Sequence, residues 1–292
     1  MLLELAQLLV NGLGMGLVYV LLAVGFNLIL SVPRVLFIAY GEFYMLGAYV
    51  VWGMLVLLNQ HFFLSLLMAA LVPAILGAAS YRAIFQRIQR TERRFLTNVA
   101  AAIGLMMVLR QAAVLAFGSE SRGLPSVYSG MISFVGLRIS TEKVVLILLS
   151  LAVAVGVYVI LQKTNVGRGM RAVSFRADVA SLQGVNANRT YLATMALGCA
   201  ICGFAGGVMA PVFGISPWMG TILLPIIFIV VLGGAGSMLG SVLGGLIFGM
   251  TTALGDYFIG TGVAQIGLYA LIGIVIFFKP GGLFGHEEEM GL

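Results

Sequence analysis

Charge is what this chain most lacks. Only 16 Lys or Arg and 10 Asp or Glu occur among 292 residues, 9% of the total against 61% hydrophobic, where a soluble domain carries about 25% charged residues. That shortage excludes a soluble globular domain and points to an integral membrane protein. A charge at mid-bilayer costs about 2.5 to 3.5 kcal/mol on insertion scales, so these side chains belong in loops. Histidine is nearly absent: His61 falls at a loop and His286 in the tail. An intramembrane enzyme would need a nucleophile and a base facing each other at depth. Serine and threonine are available there, but histidine is not. The two cysteines, Cys199 and Cys202, lie one turn apart in an apolar run without further ligands. They read as small packing residues, with no disulfide framework and no metal site. Lysine occurs only at Lys143, Lys163 and Lys279, none after a glycine, so no GxxxxGK[ST] phosphate loop exists and any ATP must be hydrolysed by another chain. Gly12, Gly14 and Gly16 sit inside an apolar run with no strand before them, which excludes a dinucleotide fingerprint. The arginines are not interleaved with base-stacking aromatics. The net charge of +6 therefore reads as membrane-topology charge near anionic lipid headgroups, and nucleic acid is excluded as a partner.

Apolar length is what the chain has in abundance. About 20 helical residues cross a hydrocarbon core of roughly 30 Å, and nine candidate spans follow: Leu5 to Leu30, Val35 to Leu58, Phe62 to Ala83, Phe95 to Phe117, Val144 to Leu161, Tyr191 to Ala210, Thr221 to Leu232, Met238 to Leu254 and Val263 to Phe278. The expected fold is an all-α, polytopic membrane domain over 1–292, with eight or nine transmembrane helices and at least one of them discontinuous. The seventh span is short enough to be broken or re-entrant. The first is too long in its apolar part, and too acidic before it at Glu4, to be a cleaved signal. Two loops hold most of the basic residues: Arg82, Arg87, Arg90, Arg93 and Arg94, then Lys163, Arg168, Arg171, Arg176 and Arg189. Both should face the cytoplasm. The N-terminus, 118–142, 211–220 and 256–262 then lie outside, and the C-terminus inside. The loop 118–142, with Pro125, Gly130 and Gly136 among short β-prone pieces, is a docking surface or a plain connector. The acidic tail 285–292 is expected to be disordered.

Three stretches stand out within the spans. Glycine, at 39 residues, has nearly double its usual share of about 7%. In the eighth span Gly236, Gly240 and Gly244 recur every fourth residue beside Gly245 and Gly249, a spacing that lets helix backbones approach closely or lines a pathway. The second span holds FIAYGEFYMLGAY, in which Glu42 reads as the one ionisable residue well inside an apolar run. It would line a solute path, cap N–H groups freed by a break at Gly41, or bond a neighbouring helix. PVFGISPWMGTILLP, leading into the seventh span, has the proline, tryptophan and glycine content of a bent entry with Trp218 at the interface. Spans two and seven cross in opposite senses, which is the pointer to an inverted repeat with a midplane path.

The interior is most polar at 163–189. Gly167 to Gln183 is expected to form one helix of about 16 residues, roughly 24 Å long, capped near Asn165 and stopped at Gly184. Met170, Val173, Ala177 and Ala180 or Leu182 make an apolar stripe, flanked by Arg168, Arg171, Arg176 and Asp178. Such a helix lies on the membrane surface. On spacing alone it is an interfacial anchor or a grip for something outside the membrane. Asn188 would cap the sixth span.

GRGMRAVSFRADVASLQGVNANR, followed by AGG at Ala205 to Gly207, closely resembles the permease subunits of bacterial branched-chain amino acid ABC transporters. AVGFNLILSVPRVLFIAYGEFYMLGAY, from Ala23 to Tyr49, and VLGGAGSMLGSVLGG, from Val231 to Gly245, resemble the same family in the same order. The resemblance implies a multi-pass subunit of the bacterial inner membrane. It would form a translocation path for branched-chain amino acids or a related small polar solute. Its implied partners are a second homologous permease, two cytoplasmic ATPases that hold the ATP and Mg, and an extracytoplasmic solute-binding protein. No cofactor or metal is implied on this chain, and no catalytic residue. Arg168, Arg171, Phe175, Arg176 and Asp178 would couple the chain to the ATPase. Phe37, Tyr40, Gly41 and Glu42 would lie along the path. Where the family pattern reads NFAHGE, Phe37 and Tyr40 replace its Asn and His, which leaves a urea- or amide-type solute open. The alternative is a stand-alone secondary transporter or channel, which would need coupling-ion sites or a polar pore.

Overall fold

Inside hydrocarbon no water is available to backbone N–H and C=O groups, so crossing segments must satisfy them internally. Helices accordingly dominate the computed structural model, which describes every residue except 1, 90–93, 125–129, 135–136, 280 and 285–292. Arg90, Arg93, Pro125, Gly136 and the tail lie outside the described residues. In chain order the helices are α1 (Leu2–Ser31), α2 (Tyr40–Trp52), α3 (Phe62–Ser80), α4 (Gln86–Ile88), α5 (Arg94–Phe117), α6 (Thr141–Lys163), α7 (Asn165–Phe175), α8 (Ala177–Leu182), α9 (Ala187–Phe213), α10 (Leu223–Gly233), α11 (Met238–Phe258) and α12 (Thr261–Phe278). Two strands, β1 (Met131–Phe134) and β2 (Leu137–Ser140), pair antiparallel with Met131 opposite Ser140. They form a small hairpin in the β-prone loop that the charge pattern assigns to the outside. Among the described residues seven helices are long and apolar enough to cross a membrane, and the segments Met219–Gly233 and Gly262–Val275 are shorter apolar helices. This is a polytopic all-α membrane protein.

The chain folds into two compact units, one of Met1–Asn27, Pro125–Ala154 and Leu224–Leu292, the other of Leu28–Leu124 and Val155–Leu223. In the first, the glycine stripe of α11 meets backbone at every step. Gly240 abuts Gly233, Gly244 faces Ile229, Gly245 faces Val20 and Gly249 abuts Gly16. α1 and α11 thus run antiparallel at close range, as small residues permit in lipid. Asn27 is buried and pins the turn before α11. Its Nδ2 donates to the Ser237 carbonyl (3.0 Å) and to Ser241 Oγ (2.8 Å), and its Oδ1 accepts from Gly236 N–H (2.8 Å). The familiar-looking stretches Ala23 to Tyr49 and Val231 to Gly245 therefore touch.

In the second unit α2 and α3 flank α9. Tyr40 and Tyr44 of α2 meet Cys202 and Gly206 of α9, so these two run parallel. Gly77, Pro73 and Leu66 of α3 meet Cys199, Gly203 and Gly207, so α3 runs the opposite way. Those directions are the ones that alternating crossings require. Loop contacts sort in the same manner. Gln89 Nε2 donates to the Pro33 carbonyl (2.9 Å) and Arg34 to the Ser174 carbonyl (3.4 Å), joining three loops assigned to the cytoplasm. Arg122 and Ile215 exchange backbone bonds of 2.7 and 2.8 Å, joining two loops assigned to the outside.

Three boundaries differ from expectation. The second span is helical only from Tyr40, with Val32 to Ala39 irregular after Pro33 and Arg34 at φ 53°. The break thus precedes Gly41 and does not pass through it. The polar loop forms two helices, α7 and α8, because Arg176 is extended at φ −151°, ψ 106°. Thr164 Oγ1 caps α7 by accepting from Gly167 N–H (3.2 Å), in place of Asn165, while Gly184 at φ 84° ends the pair as expected. Asn186 caps α9 through Arg189 N–H (3.1 Å), in place of Asn188, which lies within the helix.

Candidate functional site

The polar loop builds one candidate surface. Met170, Val173 and Ala180 are buried, so the stripe seats α7 and α8 as the spacing requires. Gly167 allows this approach, since a Cβ there would overlap the Leu161 and Ile160 carbonyls at the end of α6. The Arg171 guanidinium donates to the Leu161 carbonyl, tying α7 to the C-terminus of α6, where a cation also opposes the helix dipole. Arg168 bonds Asn165 within α7. The outward face then carries Phe175, 81% exposed, and Leu182, 87% exposed, with Arg176, Asp178 and Val179 also exposed. All five residues expected to couple are exposed, and Arg171 also holds the helix in place through its bond to Leu161.

Inside the spans the expected path residues are all buried, and three of them are packing elements. Phe37 wedges between Phe43 and Phe85, with ring centroids 5.4 and 5.5 Å away. The Tyr40 carbonyl accepts from Cys202 Sγ (3.1 Å). Gly41 lies against Gly220, whose carbonyl a Cβ would overlap. The family-type Asn and His positions are thus filled here by aromatic rings of the core.

Glu42 is different. It lies in the first turn of α2, 1% exposed, and Arg110 of α5 reaches its Oε1 with Nε (3.0 Å) and Nη2 (2.5 Å). Glu42 Oε2 is buried without a hydrogen-bond partner among the described residues. Glu42 is therefore not the one ionisable residue within an apolar run, because Arg110 stands inside Phe95–Phe117. A carboxylate in hydrocarbon demands a cation. Scanning the apolar runs for the opposite sign would have found Arg110, but spacing could not show that the two meet. The guanidinium also lies over the Trp218 ring, 5.7 Å from its centroid, and the Glu42 carboxylate rests on Gly220. Met219–Ile222 is a 3-10 turn leading into the short α10. The two interrupted segments that stood out in the sequence consequently meet at this ion pair.

The comparisons agree with this architecture. The profile of the family described as "Branched-chain amino acid transport system / permease component" matches residues 8–279. The chain is 27% identical to the high-affinity branched-chain amino acid transport system permease protein BraD of Pseudomonas aeruginosa, over 97% of this chain and 96% of that one. It is 28% identical to the corresponding protein LivH of Escherichia coli (strain K12), over the same shares. It is also 28% identical to the probable branched-chain amino acid transport permease protein LivH of Methanocaldococcus jannaschii, over 92% and 89%. No solved structure matches. With the profile running from the first span to the last and the relatives aligned nearly end to end, the chain belongs to the family of permease components of branched-chain amino acid transport systems, multi-pass proteins of the membrane.

Proposed function

We propose that this chain is the membrane subunit of an ATP-driven importer whose solute is a branched-chain amino acid, as the relatives' names state of them. A related small polar solute is the nearest alternative. It works with a second, similar permease, two cytoplasmic ATPases that hold ATP and Mg, and an extracytoplasmic binding protein that delivers the solute. Glu42, with Phe37, Tyr40 and Gly41 behind it, borders the translocation path. The observation that carries the proposal is the pair α7 and α8, a polar surface rod on a chain without a phosphate loop. It is seated by Met170, Val173 and Ala180 and offers Phe175, Arg176 and Asp178 outward. An ATPase gripping that face pulls on α6 and α9 at once, because α7 and α8 connect them. Two packings of these helices, one favoured by ATP and the other by loaded binding protein, give alternating access.

The test is Phe175→Ala with Arg176→Glu in the assembled complex, reconstituted in liposomes. ATP-dependent uptake should fall more than tenfold and the ATPases should co-purify less, while insertion of the chain stays normal. Arg168 and Asp178 substitutions should weaken co-purification less. Arg171→Gln should additionally loosen α7 from α6, seen as faster proteolysis at 163–189. Undiminished uptake by the double variant, or uptake by the purified chain without ATPases, would sink the proposal, the second result favouring a channel or symporter.

A further inference from the structure

We propose that Arg110 and Glu42 recognise the main-chain charges of a zwitterionic amino acid. The solute carboxylate takes the guanidinium N–H groups that Glu42 leaves over, and the solute ammonium goes to Glu42 Oε2. This rests on the importer reading and assigns its solute a contact point.

The asymmetry of the ion pair carries the argument. An arginine and a carboxylate can meet fork to fork, using both oxygens. Here Nε and Nη2 both converge on Oε1, at 3.0 and 2.5 Å. Oε2 is left buried and unpartnered. A guanidinium has five N–H donors and no acceptor, so three remain after Glu42 has taken two. Inside an apolar span this leaves a surplus of one anionic acceptor and several cationic donors, costly in hydrocarbon unless a ligand completes them. The ligand that supplies both an ammonium and a carboxylate without adding net charge is a zwitterion. A carboxylic acid lacking the ammonium leaves Oε2 bare, and an amino amide leaves the guanidinium half matched.

Access and movement agree with this assignment. Glu42 is closed off, but the Arg110 side chain is 26% exposed and Trp218 beside it 55%. Approach is therefore past Trp218 to the guanidinium. Arg110 stands seven residues before the end of α5 at Phe117, about 10 Å from the end assigned to the outside. That is the side from which a delivered solute enters. The carboxylate lies between two places where regular helix starts, Tyr40 of α2 and the 3-10 turn at Met219–Ile222. Shifting either segment opens Oε2 without breaking a helix in its middle.

The experiment uses the complete complex in liposomes at saturating loaded binding protein. Arg110→Gln should lower the maximal rate of leucine uptake tenfold or more. The half-saturating concentration of loaded binding protein and the basal ATP hydrolysis should stay within twofold, and Arg110→Lys should recover part of the rate. On the wild-type complex without binding protein, leucine should displace bound labelled leucine at least tenfold better than leucinamide or 4-methylpentanoate do, and Arg110→Gln should erase that preference. If Arg110→Gln alone does not assemble, Glu42→Gln with Arg110→Gln replaces the pair by two neutral amides and is measured in its place. Leucine uptake unchanged in an assembled variant overturns the inference, as does equal displacement by leucine and leucinamide. Failure of both variants to assemble also overturns it, since the pair would then be a structural or subunit contact. A wild-type complex without ATP-dependent uptake of any solute would sink the importer reading itself. A wild-type complex that prefers a neutral amide would sink only this assignment.

Discussion

α9 and α5 belong to the same compact unit, are of similar length and are nearly equal in hydropathy, yet 61% of the most apolar window of α9 is buried and only 11% of that of α5. Lipid is as apolar as leucine, so hydropathy places a helix in the membrane without deciding what it packs against. Small residues decide that. Gly203, Gly206 and Gly207 of α9 receive α2 and α3, with Gly47 opposite Gly203 and Gly77 against Cys199 one turn earlier, and a Cβ at Gly47, Gly203 or Gly206 would overlap a neighbouring carbonyl. Gly104 of α5 has no neighbouring atom within 4 Å of an added Cβ. α5 is joined to the unit at Phe117, which stacks on Tyr49 with centroids 4.3 Å apart, by the Arg110–Glu42 pair, and near its start, where Asn98 and Ala102 are buried. Its outward row includes Ile103, Met107, Val108 and Leu115.

Substitutions can break that contrast in graded steps. Gly203→Val should do most damage, because its neighbours are the Ala69 carbonyl and the Pro73 ring, neither able to step aside. The cost should exceed about 3 kcal/mol, the upper end of ordinary overpacking, seen as loss of most detergent-stable protein on size-exclusion chromatography. Gly77→Ala should cost less, about 1 to 3 kcal/mol, because its added Cβ would lie 2.5 Å from a thiol, Cys199 Sγ. Cys199→Ala should restore part of the lost thermal stability. Gly104→Ala should be neutral or stabilising by up to about 1 kcal/mol, since alanine favours helix and nothing is displaced. A large loss from Gly104→Ala would show that the face of α5 is packed in the assembly, which would sharpen the search for the partner that covers it.

Much of this was legible in the residues. Among the described residues the nine apolar runs correspond to seven long helices and two short ones. The short seventh run proved to be a 3-10 turn and an 11-residue helix. The stripe of the polar loop seated as its spacing required. Helix ends were less legible: Arg176 splits the surface rod, and Thr164 and Asn186 cap where Asn165 and Asn188 were expected. Capping depends on one backbone angle, and neighbouring polar residues compete for it. Glu42 stood out as a lone charge, but its partner Arg110 lies 68 residues away in a run that hydropathy alone marks as uniformly apolar.

Hydropathy and charge along the chain were enough to show that it crosses a membrane repeatedly, which loops collect positive charge and which family it joins. All of these are sums of transfer free energies or patterns along one dimension. Folding was needed to show that the two interrupted segments meet at Glu42 and Gly220, that Arg110 closes on one carboxylate oxygen and leaves the other free, and that Arg171 ties α7 to the end of α6 while Phe175 stands free of it. Those outcomes depend on which helix backbones come within contact distance. In lipid that is set by shape and by the matching of a few polar groups, and neither is a property of any single segment.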